Sequence, residues 1–155
     1  AGQTGELAIA GHNVMLGYLN KPAETAATVQ AGTLLTGDVG HVDADGYVYI
    51  TGRAKEMIIV GGENVFPREI ESVLIEHPAV AEAAVVGTTD ELRGELPVAF
   101  VILKEGRTAS ETELREFCRA RLAGYKVPRR VHISSDLPRT ATGKILKRAL
   151  TPGRQ

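Results

Sequence analysis

Cysteine is nearly absent from this sequence of 155 residues, with Cys118 the only one. A lone thiol excludes an internal disulfide and any cysteine-rich zinc site. Net charge is missing too. Eighteen Lys and Arg against 19 Asp and Glu leave a formal charge of −1, which argues against a general nucleic-acid binder. No apolar run approaches the roughly 18 residues of a membrane-spanning helix, and no stretch reads as a signal peptide. A cytoplasmic protein is the expectation. His12, His41, His77 and His132 are scattered without ligand spacing, so no metal site is expected and each histidine reads as structural or surface. No serine sits in a nucleophile elbow.

What is present is an ordinary globular composition, 43% hydrophobic and 24% charged. A chain of this length buries roughly 68–70% of its unfolded surface without staples. The first stretch, "AGQTGELAIAG", lacks a Met and opens directly on a strand-like pattern; it reads as a cut inside a larger protein. "NKPAETAATVQ" places Pro22 at the start of a short helix. "TLLTGDVGHVDADGYVYITGR" is the clearest hairpin, with Asp45-Gly46 as the turn between two β-rich arms.

The style changes after Gly52-Arg53, and a boundary is expected near residues 52–56. "EMIIV" reads as a strand and Gly61-Gly62-Glu63-Asn64 as a turn. "FPREIESVLIEHP" reads as a helix, with Pro67 in its first turn, Ile70, Val73 and Leu74 as its apolar stripe, and Pro78 as its stop. "AVAEAAVVG" and "PVAFVIL" read as strands. "SETELREFCRARLAG" is a helix with a capping box at Ser110 and Glu113. Leu114, Phe117, Cys118 and Leu122 share one face of it, and Gly124 is its expected end. Cys118 therefore reads as a buried, inert thiol. "RVHIS" is a strand with Val131 and Ile133 on one face. "GKILKRAL" reads as a short last helix. The order β-α-β-β-α-β-α predicts an α+β fold with helices on a small sheet.

Charge is uneven along the chain. From Lys126 to Arg148 there are seven Lys and Arg and one acid, Asp136. The stretch is either a solvated basic face or a site for the phosphates of a nucleotide or coenzyme. Within it, Thr142-Gly143-Lys144 looks like the end of a phosphate-binding P-loop with no Gly-rich loop before it. A lysine on a long stem can still reach an anion held by another domain.

Taken together the motifs are recognisable. "LLTGDVGHVDADGYVYITGRAKEMIIVGGENVFPREIE" and "GYKVPRRVHISSDLPRTATGK" closely resemble the C-terminal third of AMP-forming acyl-CoA synthetases. These belong to the adenylate-forming superfamily, with luciferases and peptide-synthetase adenylation domains. "GELAIAGHNVMLGYLNKPAET" resembles the stretch just upstream. The resemblance implies that residues 1–54 are the β-rich end of a large N-terminal domain, the close of its β-barrel subdomain. It implies that residues 55–155 are a small mobile lid with a central antiparallel sheet flanked by helices.

The same resemblance implies roles. Asp38, the acid of "TGD", would hold the ribose hydroxyls of ATP or AMP, as a carboxylate can; otherwise it caps a hairpin. Arg53 would reach the nucleotide's ribose or phosphate side, or else form a surface ion pair. Lys55 would be the hinge about which the lid rotates between half-reactions. Gly61, Gly62 and Glu63 would belong to the loop that enters the site for thioester formation, or be a plain tight turn. Lys126, Arg129 and Arg130 would meet the phosphates of coenzyme A. Lys144 would be the adenylation lysine, bridging the substrate carboxylate and the α-phosphate. Mg2+ would be held mainly by ATP and the large domain. The implied partners are that large N-terminal domain, a carboxylic acid, coenzyme A, and a lysine acetyltransferase acting on Lys144. Fatty acid metabolism is the expected setting.

The family's ATP-phosphate loop and its adenine and acyl pockets lie upstream of these motifs, so the 155 residues alone are expected to be inactive. Two other readings compete. One is a peptide-synthetase-type or luciferase-like adenylation domain, although "GGENVFPREIE" looks more like the CoA-ligase version. The other is a non-catalytic docking or regulatory module of the same fold, which would need none of Asp38, Arg53, Lys55 and Lys144.

Overall fold

The structure is a computed structural model, and it describes residues 2–150. By backbone contacts the chain divides into two compact units, Ala1–Lys55 and Glu56–Gln155.

The first unit is a four-stranded antiparallel sheet built on one long strand. β3 (Thr33–Val42) pairs with β1 (Gly5–Ala10) on one side, and with β2 (Val29–Gln30) and β4 (Val48–Arg53) on the other. A short helix, α1 (Pro22–Thr28), leads into β2, with Pro22 at its start as expected. The β3–β4 turn is organised by Asp43, whose Oδ1 accepts the N–H of Asp45 at 3.0 Å and of Tyr47 at 2.8 Å. Those donors, Tyr47 first, hold the Asp43 carboxyl below its ordinary value. Gly40 is the tightest point of the unit. A Cβ there would lie 2.1 Å from the Tyr49 carbonyl oxygen, so only glycine lets β3 and β4 approach at their bulge.

Of residues 2–55, only Gly40 and Gly52 are buried. Val48, Tyr49 and Ile50 on β4 are 57, 51 and 46% exposed. The sheet therefore has almost no core of its own, and a sheet of this kind gains independent stability only when an apolar face is covered.

The second unit has a true core. Its sheet runs β6 (Glu63–Val65), β5 (Ile58–Val60), β8 (Gly94–Leu103), β7 (Val80–Asp90), and β9 (Arg130–Ile133) also lies beside β8. All pairs are antiparallel except β8–β9, which is parallel. A parallel neighbour needs a crossover, and α3 (Glu111–Arg119) supplies it. The β7–β8 hairpin carries the unit, pairing Val80 with Leu103 through to Asp90 with Gly94. Both of its faces are covered, so its residues read as nearly continuous apolar runs.

The two faces are covered differently. On one, Ala83, Val85, Ala99, Val101 and Val131 pack with Ile70 and Leu74 of α2 (Pro67–Glu76) and with Leu114 and Cys118 of α3. Both helices thus lie on the same side. On the other face, Ala84, Val98 and Phe100 are covered by Leu137, with Ile145 and Leu150 packed against them. That cover is irregular chain.

Most sequence expectations hold for the elements. The capping box of α3 is present, with Ser110 Oγ accepting the Glu113 N–H at 3.1 Å and Glu113 Oε2 accepting the Ser110 N–H at 3.3 Å. Cys118 is fully buried, and burial pushes its thiol up to about 11 against a weaker downward pull from Arg121. Four details differ, the first being that Glu63 and Asn64, expected in a turn, begin the strand β6. α3 ends at Arg119, and Gly124 instead opens a 3-10 turn, Gly124–Lys126. Ile133 is 43% exposed although Val131 beside it is buried. The segment "GKILKRAL" is not a helix. Arg139 and Ile145 form an isolated antiparallel bridge, and only Lys147–Ala149 coil into a 3-10 turn. Its apolar residues reach the sheet from an extended chain, and Leu146 N–H donates backwards to the Pro138 carbonyl at 2.7 Å.

Candidate functional site

In the first unit, pairing places Asp38 on β3 directly opposite Arg53 on β4. Arg53 Nε lies 3.0 Å from Asp38 Oδ1, with the arginine side chain 63% exposed and the aspartate 27%. The Asp38 backbone is held as well. Thr36 Oγ1 accepts the Asp38 N–H at 3.1 Å and donates to the Leu7 carbonyl at 2.8 Å. The two residues singled out for a nucleotide are therefore neighbours. Together they offer a hydroxyl acceptor and a cation side by side.

Lys55 sits exposed in a 3-10 turn, Ala54–Glu56. Gly61 and Gly62 form the two-residue loop between β5 and β6, with φ of +60° and +91°. Positive φ at both positions is what a type I′ hairpin demands. A Cβ on either glycine would meet nothing within 4 Å. Conformation, then, and not crowding, requires glycine here. Glu63 is exposed on the outgoing strand, and the Gly61 N–H donates to the Arg93 carbonyl at 2.8 Å.

The basic stretch separates in space. Lys126 Nζ is 2.8 Å from Glu69 Oε1 and is 20% exposed. Arg130 Nη1 faces Glu111 Oε2 at 3.6 Å. Arg129, in contrast, lines a cleft of about 310 Å³ together with Arg93, Arg115 and Arg119. Asp90 is the only acid on its wall, and Tyr125, Val127 and Pro128 add apolar surface. The lining is rich in arginine, although Arg119 is paired with Glu116 and Arg115 Nε donates to the Pro128 carbonyl at 3.0 Å. Sequence reasoning found only Arg129, because Arg93 lies on the β7–β8 turn and Arg115 and Arg119 lie on α3.

Lys144 stands at the end of a small loop. The Thr140 carbonyl accepts the Gly143 N–H at 2.9 Å, and Thr140 Oγ1 accepts the Lys144 N–H at 3.2 Å. Gly143 has a φ of +83°, which turns the chain back. The Lys144 side chain is exposed, and its ammonium has no carboxylate partner among the described residues. It is a mobile cation on a fixed base. Among the described residues no three His, Cys, Asp or Glu side chains gather to hold a metal. No helix among those residues is long and apolar enough to cross a membrane.

Residues 69–144 match the family described as the AMP-binding enzyme C-terminal domain. Those residues belong to that family. The match ends on Lys144 itself. The AMP-binding C-terminal domain has curated relatives of different acids. A long-chain-fatty-acid–CoA ligase of Bacillus subtilis is 51% identical over 94% of this chain. A 2-succinylbenzoate–CoA ligase of Geobacillus kaustophilus is 47% identical over 96% of it. The chain spans about a quarter to a third of such relatives, 26% and 30% of these two. Among solved structures, the o-succinylbenzoate CoA synthetase MenE of Bacillus subtilis, in complex with the acyl-adenylate intermediate OSB-AMP, superposes with a TM-score of 0.92. The identity is 42%, covering 99% of this chain and 31% of that one. The small α+β unit thus has the fold of the AMP-binding C-terminal domain.

Proposed function

We propose that this chain is the C-terminal part of an AMP-forming acyl-CoA synthetase, in which it delivers Lys144 to the adenylation reaction. The observation that carries the reading is the contrast at Lys144. Among the described residues it is an ammonium with no carboxylate partner, in a segment matched to the AMP-binding domain, whereas Arg139 before it and Lys147 after it are each held by carboxylates.

In the first half-reaction a substrate carboxylate oxygen attacks the α-phosphorus of ATP. The new P–O bond forms as the bond to the β-phosphate oxygen breaks, and pyrophosphate leaves with that electron pair. Lys144 would hold the two anions together and offset charge that builds on the α-phosphate oxygens. Asp38 would accept hydrogen bonds from the ribose hydroxyls through Oδ2, the oxygen not facing Arg53, and Arg53 would face the phosphate side.

In the second half-reaction the coenzyme A sulfur attacks the acyl carbon, the thiol proton goes to solvent or a base, and AMP leaves. The open Gly61-Gly62 turn gives the thiol arm close backbone approach. The coenzyme's phosphates would be met in the arginine cleft, at Arg129, because Lys126 and Arg130 already hold Glu69 and Glu111. Rotation about Lys55 would exchange the two faces of the lid. Magnesium would travel with ATP and the large domain, since this chain's described residues offer no cage for it.

The exposed apolar face of the first unit fits an N-terminal domain packed against it. Relatives named for a long-chain fatty acid and for 2-succinylbenzoate resemble this chain almost equally, 51% and 47%. The acid is therefore selected elsewhere in the protein, and fatty acid metabolism is one setting among several. A cytoplasmic location suits a buried, reduced Cys118. Acetylation of the exposed Lys144 would remove its charge and stop adenylation; mass spectrometry that never finds acetyl-Lys144 in cells would count against such control.

ATP–pyrophosphate exchange tests the reading. The complete protein should exchange in the presence of its acid, and the 155 residues alone should not. Exchange by the isolated chain, or by neither, contradicts it.

A further inference from the structure

Two cations bracket Lys144, and both are tied down. Arg139, five residues before it, reaches Glu82 Oε1 on β7 through Nη2 at 2.7 Å and the Gly143 carbonyl through Nη1 at 3.2 Å. Lys147, three residues after it, places Nζ 2.5 Å from Glu56 Oε2 and 2.9 Å from Glu71 Oε1. Glu71 Oε1 also accepts the Val85 N–H of β7 at 2.8 Å. The Lys147 side chain is 26% exposed and that of Glu71 only 16%. Burial by itself would lower the Lys147 ammonium, but hydrogen bonds and charge from Glu56 and Glu71 outweigh it and raise the group.

These contacts have a geometric consequence. The arms of the Lys144 loop are fastened at Glu82 on β7, at Glu71 on α2, and at Glu56, the residue next to Lys55. Between them lies irregular chain with no helix to stiffen it. A lysine that must bridge two anions gains little from its charge if its base wanders, since about 1 Å of misplacement costs up to about 10²-fold in rate.

We infer that Lys147 is a positioning residue: its ammonium, clasped between Glu56 and Glu71, locks the outgoing arm of the Lys144 loop to the lid so that Lys144 moves with the lid as one body. The inference rests on the proposed adenylation role of Lys144. Lys147 touches no substrate in this scheme. Its loss would also leave Glu56 and Glu71 without their shared cation and take away the arm's ion-pair tie to α2.

The test uses the complete protein and three readouts: exchange kinetics for adenylation, thioester formation from pre-made acyl-adenylate, and amide hydrogen exchange at residues 140–146. Lys147→Met keeps the stem and removes the charge. It should lower the adenylation kcat by about 10- to 100-fold with little change in KM for ATP. Thioester formation should stay within about twofold. Amides of Thr140, Gly143, Lys144 and Leu146, all hydrogen-bonded now, should exchange faster while α2 and β8 do not. Lys147→Arg should restore all three, and Glu56→Gln should shift them partway. Wild-type exchange and kinetics in Lys147→Met overturn the inference. So does an equal fall in both half-reactions, which would mark a merely structural residue. If Lys144→Ala itself still adenylates, the underlying reading falls along with it.

Discussion

Lys144 and Lys147 are the same side chain three positions apart, and their surroundings assign them opposite work. Lys147 is surrounded by two carboxylates and faces inward, whereas Lys144 faces solvent with none. A similar contrast separates Arg129, on the cleft wall, from Lys126, which is paired with Glu69. Asp38 and Arg53 depend on another residue, Gly40, which permits the close strand approach behind them. Gly40→Ala should force β3 and β4 apart and weaken nucleotide binding in the complete protein, read as a KM for ATP raised by about tenfold or more, on the scale of a lost charged hydrogen bond. An unchanged KM would separate the strand register from the nucleotide site. Asp38→Asn should raise the same KM with the fold intact.

At the scale of elements, the second unit should weaken in alkali. The Cys118 thiol is raised to about 11, so it stabilises the fold fully below its ordinary value of 9.0 and loses that contribution as pH climbs through about 11. Lys147 is also raised, so its clasp persists below the ordinary lysine range and is lost above it. Urea midpoints should hold steady from neutral pH to about 9 and then fall, less steeply in Cys118→Ala. A midpoint that rises in alkali would reverse the sign of both assignments. Ser110→Ala should cost α3 about 1 kcal/mol, measured as a shift in the same midpoint.

Elements were legible where their signals are local. Pro67, the Ser110–Glu113 box and the Asp45-Gly46 turn act within four residues, and each marked its element correctly. The last segment misled because Leu146 and Leu150 stand four apart, as on a helix, whereas Ile145 and Leu150 pack on the sheet face from irregular chain. β6 went unseen because three residues after a glycine pair carry no alternation. Partners were least legible of all. Lys126 and Glu69 are 57 positions apart, as are Arg139 and Glu82, and nothing local in either stretch announces the other. For the same reason the arginine cleft was visible only through Arg129.

At the scale of the whole molecule, two units of unequal self-sufficiency meet in sequence at Lys55. One has a packed core and the other an uncovered sheet, and together they span under a third of the relatives' length. The proposed enzyme uses the first unit as a nucleotide ledge and the second as a lid that presents either Lys144 or the Gly61-Gly62 turn. Lys55→Pro would restrict the backbone at the proposed hinge. It should slow thioester formation more than adenylation, and equal effects on the two steps would refute rotation at that residue.

The central claim is that Lys144 serves the first half-reaction alone, and measuring both half-reactions in Lys144→Ala of the complete protein tests it most directly. Adenylation should fall by about 10²- to 10³-fold, the scale of one lost charge-stabilising donor, while thioester formation from pre-made acyl-adenylate stays near wild type. Equal loss in both steps, or no loss in the first, would contradict the account.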